Sequence, residues 1–141
     1  MKKIITMIFL TMSSMMIVNA QTNNVQSATK TQIQVKGHEV KGHATYYGDR
    51  YRTTRRTANG EIFNKDAYTA AHKTLPFGTI VQVTNLNNNK TVIVRITDRG
   101  PFAPGRIIDV TPKAARGLDM IKAGVVPVEL AILSMPQKSK N

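Results

Sequence analysis

TIVQVTNLNNNKTVIVRITD, residues 79–98, holds two alternating apolar and polar runs around a polar centre. Successive side chains of a strand point to opposite faces, so Val81 and Val83 share one face of the first run, and Val92, Val94 and Ile96 share one face of the second. Asn87-Asn88-Asn89-Lys90 between them supplies turn chemistry. The stretch therefore predicts a β-hairpin from about Ile80 to Thr97. The same period of two carries Asp98 onto the face of Val92, Val94 and Ile96. Its carboxyl is expected at the edge of the core, partly desolvated and flanked by Arg95 and Arg99, a setting in which a carboxyl is tuned for proton transfer. The competing reading is that Asp98 only anchors the turn at Gly100-Pro101 through bonds to backbone.

Outward from the hairpin, Ala44–Tyr47, Ala67–Ala71, Arg106–Val110 and Val125–Leu133 are further short strand candidates, separated by Gly, Pro or polar residues. One helix is expected between two strands. Thr111 suits its N-cap and Pro112 its first position, and Ala114, Ala115, Leu118 and Ile121 keep helical spacing up to Gly124. The class is mainly β. A faint internal echo links Gly78-Thr79-Ile80-Val81 with Gly124-Val125-Val126, each a glycine that launches an apolar strand.

The chain opens with Lys2-Lys3 and a mostly apolar run from Ile4 to Val18, followed by Val18-Asn19-Ala20. This is the pattern of a secretory signal peptide cleaved after Ala20, too short and interrupted to be a membrane span. Residues 21–41 are polar and poor in apolar groups, a composition that does not offset ordering entropy, and are expected to form a flexible leader. Residues 42–133 form the expected single folded unit, and residues 134–141 a tail. Loss of the signal removes two lysines, lowering the net charge from +12 to +10 over 121 residues. A cationic exported protein is drawn to polyanions, and export makes envelope polymers the expected partners rather than nucleic acid. The chain has no cysteine, so disulfides and a lipid-modified cysteine are both excluded. A soluble, monomeric, periplasmic or secreted protein is expected.

The segments TANGEIFN (57–64), TAAHKTLPFG (69–78), RITDRGPF (95–102) and GRIIDVT (105–111), in this order and after an opening GHATYYGDRYRTTRRT, closely resemble the rare lipoprotein A family. The resemblance spans about residues 42–133. It implies a six-stranded double-psi β-barrel with one or two short helices and a shallow groove. It also implies lytic transglycosylase activity on peptidoglycan glycan strands, cleaving between N-acetylmuramic acid and N-acetylglucosamine without water to leave a 1,6-anhydro end. Expansins share the barrel and loosen wall polymers without hydrolysis, so a non-catalytic wall-binding role is the alternative, and a basic module for another polyanion a third.

Cleaving a glycosidic bond requires an acid for the leaving oxygen, and nearby negative charge stabilises an oxocarbenium-like transition state. Asp98 and Glu61 match the family's acidic positions. Asp98 is the expected general acid, then base, and Glu61 the second choice. His72 is expected to hydrogen-bond a carboxylate or the sugar, with Arg99 also in support. Asp109, just before the helix cap, is weighed evenly between an acidic groove role, as expansins carry, and backbone capping. Tyr46, Tyr47 and Phe102 offer sugar-stacking faces, with at most one of the two tyrosines expected at the groove, Tyr47 being favoured. No cofactor is implied. His72 has no second histidine or cysteine at ligand spacing, so no metal is expected.

Overall fold

The computed structural model describes residues 39–48 and 55–137. The expected signal peptide, nearly all of the leader, part of the GHATYYGDRYRTTRRT motif and the end of the tail lie outside these residues. Six strands form in chain order: β1 (Val40–Tyr46), β2 (Thr69–His72), β3 (Ile80–Asn85), β4 (Thr91–Asp98), β5 (Arg106–Val110) and β6 (Val126–Ser134). They close into a barrel in the order β1-β5-β2-β4-β3-β6. Two pairs, β1 with β5 and β2 with β4, run parallel, and the others are antiparallel. The expected six-stranded, mainly β barrel is thus the observed one.

Alternation explains the core. Val81, Val83, Val92, Val94, Ile96, Ile108, Val110, Val126, Val128 and Leu130 all point inward and are buried. Each such side chain contributes about 1.5–3 kcal/mol on leaving water. The hairpin forms as read, with Asn89 N–H donating to Asn85 O at 2.8 Å to close its turn. Gly78 and Gly124, the two glycines of the internal echo, have φ of +89° and +74°, a conformation that L side chains resist. They precede β3 and β6, which lie side by side. β1 begins at Val40, so Val40 and Lys41, grouped with the leader by composition, pair with Leu130 and Glu129 of β6.

The helix departs from expectation. α1 spans only Pro112–Gly117, with Thr111 as N-cap, Pro112 at its start and Leu118 as C-cap. Asn85 and Asn88 each donate a side-chain amide to Leu118 O, at 3.0 and 3.1 Å, taking the carbonyl that a further helical turn would need. Asp119 then adopts φ +54°. In consequence Ile121, read as part of the apolar helix face, is 40% exposed, while Met120 is fully buried in its place.

Candidate active site

A row of residues crosses four adjacent strands on the outside of the barrel. Thr45 of β1 is in register with Asp109 of β5. Asp109 is in register with Ala71 of β2, and Ala71 with Asp98 of β4. Cross-strand partners share a face. Their chain neighbours Ala44, Ile108, Val110 and Ala70 fill the core, so the row faces outward. With strands about 4.8 Å apart, the two acids stand two strand spacings from each other across the methyl group of Ala71.

Strict alternation would have put Asp98 inside. The β2–β4 pairing runs Ala70 to Ile96 and then Ala71 to Asp98, so Thr97 is an extra, bulged residue. A bulge of this kind re-aims the side chains that follow it. Asp98 is therefore not at the edge of the core with Val92, Val94 and Ile96, as expected, but on the outer face.

Asp98 is held by three donors. Its Oδ1 accepts from the Ala58 and Arg99 amides, both at 2.9 Å, and its Oδ2 from the Tyr47 hydroxyl at 3.0 Å. The Arg99 bond is the turn-anchoring role weighed from the sequence, and it coexists with the other two. Tyr47 is the tyrosine that reaches the site. It is 5% exposed and its ring packs at 5.0 Å on Phe63, forming with Ala71 a small apolar cluster. Tyr46 instead packs against the barrel core.

The guanidinium groups of the two flanking arginines bond elsewhere than the Asp98 carboxyl. Arg95 grips Glu61 through two bonds, of 2.7 and 2.8 Å. The Arg99 Nη1 donates to the His72 and Leu75 carbonyls at 3.2 and 2.9 Å, and its guanidinium stacks 3.8 Å from the Phe77 ring centre. Arg99 thus clamps the loop after β2. His72 serves that same loop: its Nδ1 accepts from the Thr74 and Leu75 amides at 3.1 and 3.0 Å. Burial foremost, then the charges of Arg99 and Lys73, hold the imidazole below its ordinary pKa. Its ring hydrogen bonds go to the turn and not to either acid.

Glu61 lies in a tight hairpin laid over β4. Phe63 N–H donates to Arg55 O at 2.7 Å, Thr57 N–H to Glu61 O at 2.8 Å, and Asn59 N–H reaches Thr97 O at 3.1 Å. The bonds from Arg95 foremost, against desolvation and with help from the Asn59 amide, hold the Glu61 carboxyl below its usual pKa. Glu61 and Arg95 also border a cavity of about 260 Å³ lined by Thr57, Phe63 and Thr97 among others.

Asp109 has the opposite character. Burial pushes its carboxyl up from 3.8 to about 6, and like charge on Asp98 adds to this, while a Thr45 hydrogen bond and the charge of Arg106 oppose it. Its Oδ1 is buried without a hydrogen-bond partner. No capping bond from Asp109 to residues 111 or 112 forms; Thr111 caps the helix itself. Phe102 stands four residues beyond Asp98 with 79% of its surface exposed, its ring edge beside Gly100.

The arrangement sets an acid whose burial holds its proton to about pH 6 two strands from a second carboxyl fixed by three donors. This is suited to proton delivery and return at a sugar linkage. Among the described residues, no three His, Cys, Asp or Glu side chains gather as a metal site would need. Thr45 and the Ala58 amide were not singled out from the sequence. Thr45 was recoverable, being two residues before Tyr47 and so on its face; the amide had no side-chain signal.

Comparison with known proteins gives concordant matches. A double-psi β-barrel family profile described as lytic transglycolase matches residues 39–130. The probable endolytic peptidoglycan transglycosylase RlpA of Treponema pallidum is 58% identical over 89 residues, covering 63% of this chain and 28% of that protein. The endolytic peptidoglycan transglycosylase RlpA of Campylobacter jejuni is 50% identical over 97 residues, covering 69% and 35%. The chain thus spans about a third of the length of these relatives. Among solved structures, the apo expansin of Clavibacter michiganensis superposes with a TM-score of 0.55 at 22% identity, covering 72% of this chain and 53% of the expansin. At this identity the likeness speaks to the fold.

Proposed function

This chain belongs to the lytic transglycolase family of double-psi β-barrels, and from that membership we propose that it is an endolytic peptidoglycan lytic transglycosylase. Its substrate is the glycan strand, cut between N-acetylmuramic acid and N-acetylglucosamine. The observation that carries the reading is the Asp109–Ala71–Asp98 row, in which two outward carboxyls of different character flank one small residue. The relatives named as peptidoglycan transglycosylases support the substrate.

Asp109, ranked third from sequence, is the better proton carrier, because its raised pKa keeps an acid available at mildly acidic pH. It protonates the glycosidic oxygen as the C1–O4 bond breaks. Asp98, fixed by Tyr47 and two amides, stabilises the oxocarbenium-like centre. The substrate's own C6 hydroxyl then attacks C1, and its proton returns to Asp109, closing a 1,6-anhydro ring with no water consumed. Glu61 is poorly suited to donate a proton while both its oxygens bind Arg95. Phe102 offers a stacking face for a pyranose ring. The protein works outside the cytoplasm, as a monomer, where the net charge of +10 that remains after loss of Lys2 and Lys3 with the signal favours anionic wall material.

Incubating the full chain with purified peptidoglycan and with peptide-free glycan, then identifying products by mass spectrometry, tests this. Anhydro-muramyl ends are expected. Reducing ends would mean hydrolysis, and binding without release would point to a wall-loosening role; either result overturns the proposal.

A further inference from the structure

We propose that Arg95 is a positioning residue, whose two-pronged grip on Glu61 holds the Ala58 amide against the Asp98 carboxylate. This rests on the transglycosylase reading of the Asp98 site and assigns Glu61 a role in holding that site rather than in moving a proton.

The observation is a continuous chain of bonds. Arg95 and Asp98 both belong to β4, and the 57–61 turn lies between them. At one end Arg95 binds both Glu61 oxygens at 2.7 and 2.8 Å. At the other, Ala58 N–H donates to Asp98 Oδ1 at 2.9 Å. Between these ends the turn is bonded to itself. Thr57 Oγ1 donates to Asn59 Oδ1 at 2.6 Å and the Glu61 amide to the same oxygen at 3.1 Å. Asn59 Nδ2 donates to Glu61 Oε1 at 2.9 Å, and Gly60 N–H to Thr57 O at 2.9 Å. A turn so cross-linked moves as one body, so fixing Glu61 fixes Ala58.

The chemistry of the pair fits positioning more than stability. An exposed ion pair contributes little to folding, and here Arg95 and Glu61 have side chains 39% and 48% exposed. A fork-to-fork guanidinium–carboxylate contact instead sets direction, because two parallel bonds fix the plane of the carboxylate. Lysine, a point charge, would not reproduce it.

The test uses the full chain, with Arg95→Met, Arg95→Lys, Glu61→Gln, the Arg95→Met/Glu61→Gln double variant and Lys90→Met as a control from the distant Lys90–Asp119 surface pair. Two readouts are taken: anhydro-product kinetics on peptidoglycan, and the NMR resonance of the Ala58 amide proton. Arg95→Met should lose about 10- to 100-fold in kcat with KM within about twofold, the signature of misplaced machinery. Arg95→Lys should retain more activity than Arg95→Met. The double variant should be no worse than the poorer single, since both break one linkage. The Ala58 resonance should move upfield in Arg95→Met and in Glu61→Gln, and stay in place in Lys90→Met. Wild-type kcat in Arg95→Met, or activity loss with an unmoved Ala58 resonance, overturns the proposal. If Arg95→Met does not fold, Arg95→Lys and Glu61→Gln decide by the same two readouts. A wild-type protein that forms no anhydro product would instead refute the transglycosylase reading, and the amide resonance would still judge the linkage.

Discussion

Asp109→Asn should make the protein more stable while abolishing its activity. Burial lifts the Asp109 carboxyl from 3.8 to about 6 in the folded chain. Between these values the folded protein binds more protons than the unfolded one. Stability is therefore fully present below about pH 4, declines as pH rises through about 6, and is flat beyond. The gap of about two pH units, at about 1.4 kcal/mol each, bounds the cost of carrying this charge at pH 8 to about 3 kcal/mol. Asparagine has nearly the same shape and carries no charge, so it escapes that cost. Arg106 loses a partner in the variant, which trims the gain. Urea unfolding followed by circular dichroism at pH 4, 5, 6, 7 and 8 is the assay. The variant should exceed wild type by up to about 3 kcal/mol at pH 8, or roughly 10 °C in Tm, and converge with it near pH 4. Parallel stability curves for the two proteins, or a less stable variant at pH 8, would refute the argument that Asp109 is a desolvated acid.

Four further outcomes follow from the same geometry. The rate of anhydro-product release should fall as pH rises through about 6, where Asp109 loses its proton; a rate that climbs from pH 6 to 8 would exclude Asp109 as the acid. Thr45→Val removes a bond that favours the ionised form and should move the Asp109 titration upward, whereas Asp98→Asn removes a like charge and should move it downward, both read from its carboxyl carbon by NMR. Phe102→Ala should raise KM about threefold or more with kcat and Tm preserved, and Phe102→Tyr should restore it, since a stacked ring adds about 0.5–1.5 kcal/mol. Ile96→Ala, at a fully buried position facing the barrel interior, should cost about 2–5 kcal/mol in urea unfolding.

What was readable from the sequence tracks what is local. The hairpin of β3 and β4 was legible because alternation and turn residues sit within twenty positions. The other strands appeared within a few residues of their true ends for the same reason. The helix was overextended because its stop is supplied from elsewhere: Asn85 and Asn88 lie in the hairpin turn, some thirty residues before Leu118. All three acids of interest were named, yet their surroundings were not legible. The burial of Asp109 depends on strands β1 and β2 closing on either side of β5, and the partner of Glu61 lies 34 residues away. The bulge at Thr97 left no trace in an otherwise regular run, so the periodicity argument carried Asp98 to the wrong face.

In the proposed reaction Ala71 supplies no chemistry, yet it meters the distance between the two acids that would carry it. Because the two acids are separated by the width of a single strand and not by a loop, their gap is set by backbone hydrogen bonding within the barrel wall. The 57–61 turn is tied to Asp98 through the Ala58 amide and so belongs to that fixed frame, whereas the exposed segment bearing Phe102 lies outside it and, in the proposed reaction, can diversify to accept differently decorated glycans. The barrel and the 57–61 turn act as a jig and the Phe102 segment as its interchangeable fitting, which makes that segment the place to retarget the scaffold.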